Sequence, residues 1–276
     1  MNTLKIGLCQ MMVVKSTKEE NIKKAQNMIC EAADKGAKIV ALPEMFNCPY
    51  NNKHFREYAE AFPEGETIKM LSSTAKDKNI YLIGGSIPEI EDDKIYNTSF
   101  IFDNKGELIG KHRKVHLFDI DIKNGVRFME SEVLSSGSDI TLVDSPWGKV
   151  GVAICYDIRF PEIIRIMALK GAKIIFIPAA FNMTTGPAHW ETLFKSRALD
   201  NQLYIAGISP ARNTNYSYVA YGNSLITNPW GDITAKLDEK EGILIQDIDL
   251  EYIDEIRDSL PLLKHRRGDL YNLDLV

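Results

Sequence analysis

Cys155 is the residue best placed for covalent chemistry. It stands at the C-terminal end of an apolar stretch, residues 150–154, a few positions before a segment that predicts a helix. A sulfur at such a strand-to-helix turn would lie near the positive end of the helix, which favours the thiolate. A thiolate can attack a carbonyl carbon when a base takes up its proton and donors stabilise the oxyanion. A buried, inert thiol is the alternative, so the partners of Cys155 decide between the two.

Histidine is the usual base beside a nucleophilic cysteine, and His112, His116 and His189 fall near candidate loops. His112 and His116 lie in a predicted strand, where four residues span about 13 Å. That is too far for a shared metal ion, and neither has an evident orienting partner. The other candidates are charged residues at strand ends: Glu44 after Ala-Leu-Pro, and Lys114 in Lys-His-Arg-Lys-Val-His. Either one alone would more often be a solvated charge.

Several common site motifs are missing from the sequence. It contains neither Gly-x-x-x-x-Gly-Lys-Ser/Thr, Gly-x-Gly-x-x-Gly, Gly-x-Ser-x-Gly nor His-Glu-x-x-His. Phosphate-loop, dinucleotide, serine-hydrolase and zinc-peptidase functions therefore lose support, and we expect neither a metal nor an organic cofactor. A formal net charge of -5 also argues against a general nucleic-acid-binding role.

The composition predicts a single domain spanning residues 1–276, with 45% hydrophobic and 26% charged residues. The N-terminal stretch is typical of a first strand rather than a signal peptide. The longest apolar run, residues 174–181, is far shorter than the roughly 20 residues of a membrane span. The four cysteines are irregularly spaced and form no Cys-x-x-Cys pair, which suits a reducing cytoplasm.

Strand-like and helix-like segments alternate along the chain and must bring these side chains together. One helix should start at Pro161 and end before Gly171, and another should cover residues 189–201. The predicted strands are residues 4–12, 38–42, 80–87, 95–102, 107–116, 150–155, 173–179, 203–209, 222–228, 233–237 and 243–248. So many strands exceed one open sheet, so we expect two sheets packed face to face with helices outside.

Three of these segments together resemble the nitrilase, or carbon–nitrogen hydrolase, superfamily. Glu44 lies in Leu-Pro-Glu-Met-Phe, Lys114 in His-Arg-Lys-Val-His-Leu-Phe, and Cys155 in Val-Gly-Val-Ala-Ile-Cys-Tyr-Asp-Ile-Arg-Phe-Pro-Glu, in the family's order. The resemblance extends over essentially the whole chain. It implies an α+β fold, the four-layer αββα sandwich of the superfamily, and a homodimer joined through helices at one face.

The resemblance also implies a role for each site residue. Glu44 would be the base, Cys155 the nucleophile, and the Lys114 ammonium with the Tyr156 N–H the oxyanion hole. Glu130, in Arg-Phe-Met-Glu-Ser, matches the position that helps orient the lysine and the substrate. The reaction would be metal-free hydrolysis of a small carboxamide to an acid and ammonia.

Within the superfamily, residues 180–190, 200–202 and 209–212 are most similar to omega-amidases. Those enzymes hydrolyse the terminal amide of 2-oxoglutaramate and 2-oxosuccinamate. The resemblance implies that Arg159 and Thr185 hold the substrate carboxylate, which needs a cation or several donors. The alternative for Arg159 is a surface ion pair.

Three other functions stay open at this point. The first is an amidase acting on deaminated glutathione, whose nucleophile segment is similar. The second is a catalytically inactive member kept as an interaction protein, which would have lost a polar catalytic group. The third is a flavodoxin-like binding module, which the strand meander and the missing phosphate loop disfavour. The basic residues 264–267 either help to join subunits or form a solvated cluster.

Overall fold

The computed structural model describes residues 3–14, 17–121 and 127–273. The helices in these ranges are α1 (Lys18–Asp34), α2 (Asn52–Tyr58), α3 (Glu66–Lys78), α4 (Pro161–Leu169), α5 (Gly186–Asn201) and α6 (Glu251–Ser259). The strands are β1 (Thr3–Gln10), β2 (Ile39–Ala41), β3 (Tyr81–Ile83), β4 (Ile87–Glu91), β5 (Lys94–Phe102), β6 (Leu108–Arg113), β7 (Asp119–Asp121), β8 (Arg127–Met129), β9 (Thr141–Ser145), β10 (Gly148–Val152), β11 (Ala172–Pro178), β12 (Tyr204–Ile208), β13 (Leu225–Thr227), β14 (Ile233–Lys236) and β15 (Gly242–Asp249). Among them, no helix has the length and hydrophobicity that crossing a membrane requires.

In the first sheet, β1 pairs antiparallel with the edge strand β15 and parallel with β2. β2 continues parallel to β3, and β3 and β4 then lie end to end along the same side of β5. β6 pairs with the other side of β5. In β1, Leu4, Ile6 and Leu8 point to one face, which is the alternation expected of a strand with one face in a core.

The second sheet has the order β14, β13, β12, β11, β10, β9. Its centre, β10 to β12, is parallel, and its outer pairs are antiparallel. α4 connects β10 to β11 and α5 connects β11 to β12. Parallel strands need such crossover connections, which place the helices on the sheet's outer face.

Three apolar clusters separate four layers. One lies between the sheets and combines residues such as Ile6 and Leu8 with Val152 and Phe176. A second packs α1 and α3 on the outside of the first sheet. The third packs α4 and α5 on the outside of the second sheet and includes Trp190. The fold is therefore an α+β, four-layer αββα sandwich, as predicted.

Some predicted boundaries are wrong in ways that matter for the site. The predicted strand over residues 80–87 is broken between Ile83 and Ile87, because the N–H groups of Gly85 and Ser86 bond to Ile83 and Pro43 instead of to β5. The strand predicted over residues 107–116 ends at Arg113, so Lys114 lies just beyond it. The strand predicted over 150–155 ends at Val152, and Cys155 begins a short 3₁₀ helix. The predicted helix 189–201 starts earlier, at Gly186.

Candidate active site

Three charged side chains form one buried cluster beyond the ends of their strands. The ammonium nitrogen of Lys114 lies 3.0 Å from Oε1 of Glu44 and 2.9 Å from Oε2 of Glu130, and all three side chains are fully buried. Burial alone would lower the pKa of Lys114, but the negative charges of Glu130 and Glu44 raise it above its ordinary value. Lys114 is therefore a protonated donor held between two carboxylates.

Glu44 takes hydrogen bonds from both sheets. Its Oε2 accepts a 2.8 Å hydrogen bond from the backbone N–H of Ala180, which follows β11 of the second sheet. Its Oε1 accepts a 2.9 Å hydrogen bond from the side-chain amide of Asn97, which lies on β5 of the first sheet. These donors fix the carboxylate, so its position depends on how the sheets dock.

The break between β3 and β4 supports the turn that carries Glu44. The N–H of Met45, a residue with a φ of 49°, donates to Oγ of Ser86 at 3.0 Å. The N–H of Ser86 in turn donates to the carbonyl of Pro43 at 3.1 Å. Gly85 has a φ of +57°, and a Cβ there would lie 2.3 Å from the same carbonyl oxygen. Any side chain at position 85 would therefore push the Glu44 turn away.

Glu130 is held from two sides. The Tyr50 hydroxyl donates to its Oε1 at 2.7 Å and lies 3.3 Å from Oε1 of Glu44. The backbone N–H of Phe118 donates to its Oε2 at 2.8 Å. Burial raises the pKa of Glu130, and the positive charge of Lys114 opposes that shift. The Lys114 ammonium thus has a second acceptor that is itself fixed.

Cys155 occupies a strained turn. It begins the 3₁₀ helix Cys155–Arg159 with a φ of 45°, a conformation that costs a residue other than glycine about 1–3 kcal/mol. Burial raises the pKa of the thiol well above its ordinary value; Glu44 raises it further and Lys114 lowers it. The prediction that this position favours the thiolate is therefore wrong for the resting site, because burial and the Glu44 carboxylate raise the pKa more than the Lys114 charge and the backbone hydrogen bond of Ala180 lower it. At rest the sulfur is a thiol that interacts with both charges.

Tyr156 and Arg159 follow on the same short helix. The N–H of Tyr156 is in its first turn, where N–H groups have no partner inside the helix. One guanidinium nitrogen of Arg159 lies 3.1 Å from Nδ1 of His189, and the guanidinium carbon lies 4.9 Å from the ring centre of Phe181. No carboxylate in the described part of the chain pairs with Arg159. The alternative that Arg159 serves only in a surface ion pair is therefore not supported there.

Thr185 lies at the start of α5, one turn before His189. Its hydroxyl donates to Oδ1 of Asn182 at 3.2 Å, and its carbonyl accepts the N–H of His189 at 2.8 Å. The helix therefore links Thr185 to the histidine that contacts Arg159. The hydroxyl proton of Thr185 is directed towards Asn182 in this structure.

His112 and His116 do have an orienting partner, contrary to the prediction. Nε2 of His112 lies 3.1 Å from Oδ2 of Asp157, and Nδ1 of His116 lies 2.8 Å from Oδ1 of the same residue. The prediction assumed one continuous strand over both histidines. Because β6 ends at Arg113, the chain turns and both imidazoles reach one carboxylate.

A cavity of about 40 Å³ opens beside Glu44. Its wall includes Tyr50, Ala180 and Tyr218, and the two tyrosine rings stack with centres 4.5 Å apart. Tyr218 also donates a hydrogen bond to the carbonyl of Ala180. An aromatic wall beside a buried carboxylate fits a small ligand with an apolar carbon chain and a polar end.

The structure thus brings four predicted residues into one cluster, Glu44, Lys114, Glu130 and Cys155, with Tyr156 next to it and Arg159 and Thr185 linked through His189. Sequence reasoning missed other contributors, namely Tyr50, Asn97, Asp157, Ala180 and Tyr218. The polar run Asn-Thr-Ser inside the predicted strand over residues 95–102 was a usable signal for Asn97. No local signal marked Tyr50 or Tyr218.

A four-layer sandwich with a cysteine, a lysine and two glutamates buried at one site is typical of a hydrolytic enzyme. The chain belongs to the carbon–nitrogen hydrolase family, whose model matches residues 5–258. Omega-amidase NIT2-A of Xenopus laevis is 53% identical over 274 residues, which is 99% of this chain and 99% of that protein. Omega-amidase NIT2 of Homo sapiens is 48% identical over 275 residues, with 100% and 99% covered.

Solved structures agree with this assignment. The crystal structure of Saccharomyces cerevisiae Nit3, described as a member of branch 10 of the nitrilase superfamily, matches with a TM-score of 0.89. The two chains are 44% identical, and the match covers 96% of this chain and 97% of that one. The protein is therefore an amidohydrolase of the nitrilase superfamily.

Proposed function

We propose that this protein is an omega-amidase that hydrolyses the terminal amide of 2-oxoglutaramate and 2-oxosuccinamate. The products are the dicarboxylic keto acid and ammonia, and Cys155 is the nucleophile. The observation that carries the proposal is the buried Lys114 ammonium between Glu44 and Glu130, electrostatically coupled to the Cys155 thiol. The full-length similarity to proteins named omega-amidase supports the substrate class.

The first half of the reaction acylates the enzyme. Glu44 takes the thiol proton as the sulfur of Cys155 bonds to the amide carbon, and the carbonyl electron pair moves to oxygen. The Lys114 ammonium and the Tyr156 N–H donate to that oxyanion, each contributing about 3 kcal/mol of transition-state stabilisation. Because the resting sulfur is a thiol, a base fixed beside it is needed for attack.

The second half releases both products. The oxyanion returns its electron pair to re-form the carbonyl, the C–N bond breaks, and the nitrogen takes the proton from Glu44 and leaves as ammonia. Glu44 then removes a proton from water, whose oxygen attacks the thioester carbon. The C–S bond breaks, the sulfur regains a proton, and the acid leaves. Amide plus water gives acid plus ammonia, with every enzyme group restored.

The far carboxylate of the substrate is assigned to Arg159. Its guanidinium lies beside the nucleophile turn and packs on Phe181, and no protein carboxylate of the described chain competes for it. Thr185 would serve as a second donor by turning its hydroxyl from Asn182 to the substrate. This pair would select amides that end in a carboxylate.

We expect Arg159→Ala to raise KM for 2-oxoglutaramate about 10- to 100-fold, because hydrogen bonds to a charged group are worth about 1.5–3 kcal/mol. Steady-state ammonia release gives KM and kcat. An uncharged amide of similar length, such as valeramide, is the matched substrate control, and its KM should change less than about threefold. An unchanged KM for 2-oxoglutaramate would remove Arg159 from this role.

A panel of small amides tests the proposed substrate. We expect kcat/KM for 2-oxoglutaramate to exceed that for deaminated glutathione by at least about 100-fold, in line with the full-length similarity to proteins named omega-amidase. Ammonia release from purified enzyme measures both. The reverse ranking would make the protein a deaminated glutathione amidase, while inactivity on every amide would favour the interaction-protein alternative.

The assembly and location are also proposals. We propose a single-domain homodimer. Exposed apolar side chains, among them Leu169 at the end of α4 and Leu199 on α5, support this proposal. We propose a cytoplasmic location, since all four cysteines are free thiols. Sedimentation at micromolar concentration that gives the mass of one chain would contradict the homodimer. Recovery of the protein in a secreted fraction would contradict the cytoplasmic location.

A further inference from the structure

The buried carboxylate of Asp157 accepts four hydrogen bonds from two segments that lie far apart in the sequence. Asp157 is fully buried. Its Oδ2 accepts from the N–H of Ile154 at 2.9 Å and contacts Nε2 of His112, while its Oδ1 accepts from both the N–H of His116, at 2.9 Å, and Nδ1 of His116, at 2.8 Å. Burial alone would raise the pKa of Asp157, but the hydrogen bonds from His112 and His116 hold it well below its ordinary value. The carboxylate is therefore ionised and fully occupied.

The two segments carry the two groups that must meet the substrate carbonyl. Ile154 directly precedes Cys155, and His112 and His116 lie two residues before and two residues after Lys114. The carboxylate therefore ties the segment of the nucleophile to the segment of the oxyanion donor. Glu44 contacts the reacting side chains of Lys114 and Cys155 directly, whereas Asp157 joins the backbone segments that carry them.

Both imidazoles are themselves held in place. The ring of His112 is buried, and its Nδ1 lies 3.1 Å from the hydroxyl oxygen of Thr141. The ring of His116 stacks on Phe160, with centres 3.6 Å apart and planes 8° apart. A buried anion whose donors are all held in place forms a rigid hydrogen-bond network, unlike a surface contact that can rearrange.

We propose that Asp157, acting with His112 and His116, is the positioning residue that sets the placement of the Cys155 sulfur against the Lys114 ammonium. The bond from Ile154 to Asp157 also helps to hold the strained Cys155 turn, which a φ of 45° would otherwise leave free to relax. Misplacement of a reacting group by about 1 Å can reduce the rate about 100-fold. This inference rests on the proposed roles of Cys155 and Lys114.

The decisive test uses a matched pair at position 116, where the side chain is 30% exposed and replacement is tolerable. His116→Asn keeps an N–H donor close to the position of Nδ1, whereas His116→Ala has none. We expect His116→Ala to lower kcat about 10-fold or more and His116→Asn to stay within about threefold of the wild type, with KM unchanged in both. Both variants lose the stacking on Phe160, so packing alone cannot produce the difference.

Asp157→Asn provides the stronger perturbation, since the amide cannot accept all four donors. We expect kcat to fall about 100-fold in the folded protein. Glu60→Gln is the control: Glu60 is buried and accepts from the Thr67 N–H at 2.9 Å, outside the site, so it should lose stability but keep kcat. If Asp157→Asn does not fold, the pair at position 116 decides.

Equal kcat for wild type, His116→Ala and His116→Asn, or near-normal kcat in folded Asp157→Asn, would overturn the inference. The rates are measured on whichever amide of the panel the wild type hydrolyses fastest. If the proposed substrate is wrong, the wild type will hydrolyse another amide fastest. If the positioning role is wrong, the variants will have the kcat of the wild type on that amide.

Discussion

Replacing Cys155, the proposed nucleophile, with alanine should lower amide hydrolysis by at least about 10⁴-fold, on the scale seen when a covalent nucleophile is removed. The remaining Lys114 and Glu44 can still polarise a carbonyl, but no sulfur remains to form the thioester. The fold should persist, because the change removes one atom and a stability loss of about 1 kcal/mol is expected. Ammonia release and a thermal melt measure the two effects.

Cys9→Ala is the matched control for this variant. Cys9 is also a buried cysteine, but it packs in the outer core of the first sheet and not in the site. We expect it to lose a similar small amount of stability and keep normal kcat. Full activity in purified Cys155→Ala would exclude the covalent route.

Lys114→Met should abolish hydrolysis and also destabilise the protein by about 3–5 kcal/mol, because Glu44 and Glu130 remain buried without their counter-ion. Methionine fills most of the space of the lysine side chain. The loss of stability therefore measures the missing charge rather than a missing volume. Denaturant unfolding measures the stability. The deficit should be largest at neutral pH and shrink on acidification, since unpaired buried carboxylates have raised pKa values and become neutral when protonated.

A double variant separates the two roles of Lys114. Lys114→Met with Glu130→Gln removes one of the unpaired charges, so it should regain part of the lost stability. It should not regain activity, because the proposed oxyanion donor is still absent. A double variant as unstable as the single one, or a single variant as stable as the wild type, would contradict the assigned ion cluster.

Much of the fold could be predicted because the apolar periodicity of each segment reflects which face it buries. Alternation in β1 and the continuous apolar run of β11 are direct consequences of a sandwich with helices outside. Glu44, Lys114 and Cys155 could be predicted only from their three motifs taken together, because each residue alone would more often be a solvated charge or an inert thiol.

The remaining site features depend on contacts between distant segments, which local patterns do not contain. Asp157 was overlooked although it lies in the nucleophile motif, because its two histidines come from more than 40 positions upstream. Tyr50 reaches Glu130 across 80 positions. The thiolate expectation failed because the sequence indicates a helix end but not the burial and neighbouring carboxylate that raise the pKa of Cys155.

The division of the cluster between the sheets has a consequence for how activity arises as the chain folds. Glu44 and Lys114 follow strands of the first sheet, whereas Cys155 and Ala180 follow strands of the second. A folding intermediate with only one sheet formed would position only half of these site residues and could not hydrolyse an amide. The return of ammonia release during refolding should therefore coincide with the docking of the two sheets, later than the recovery of secondary structure.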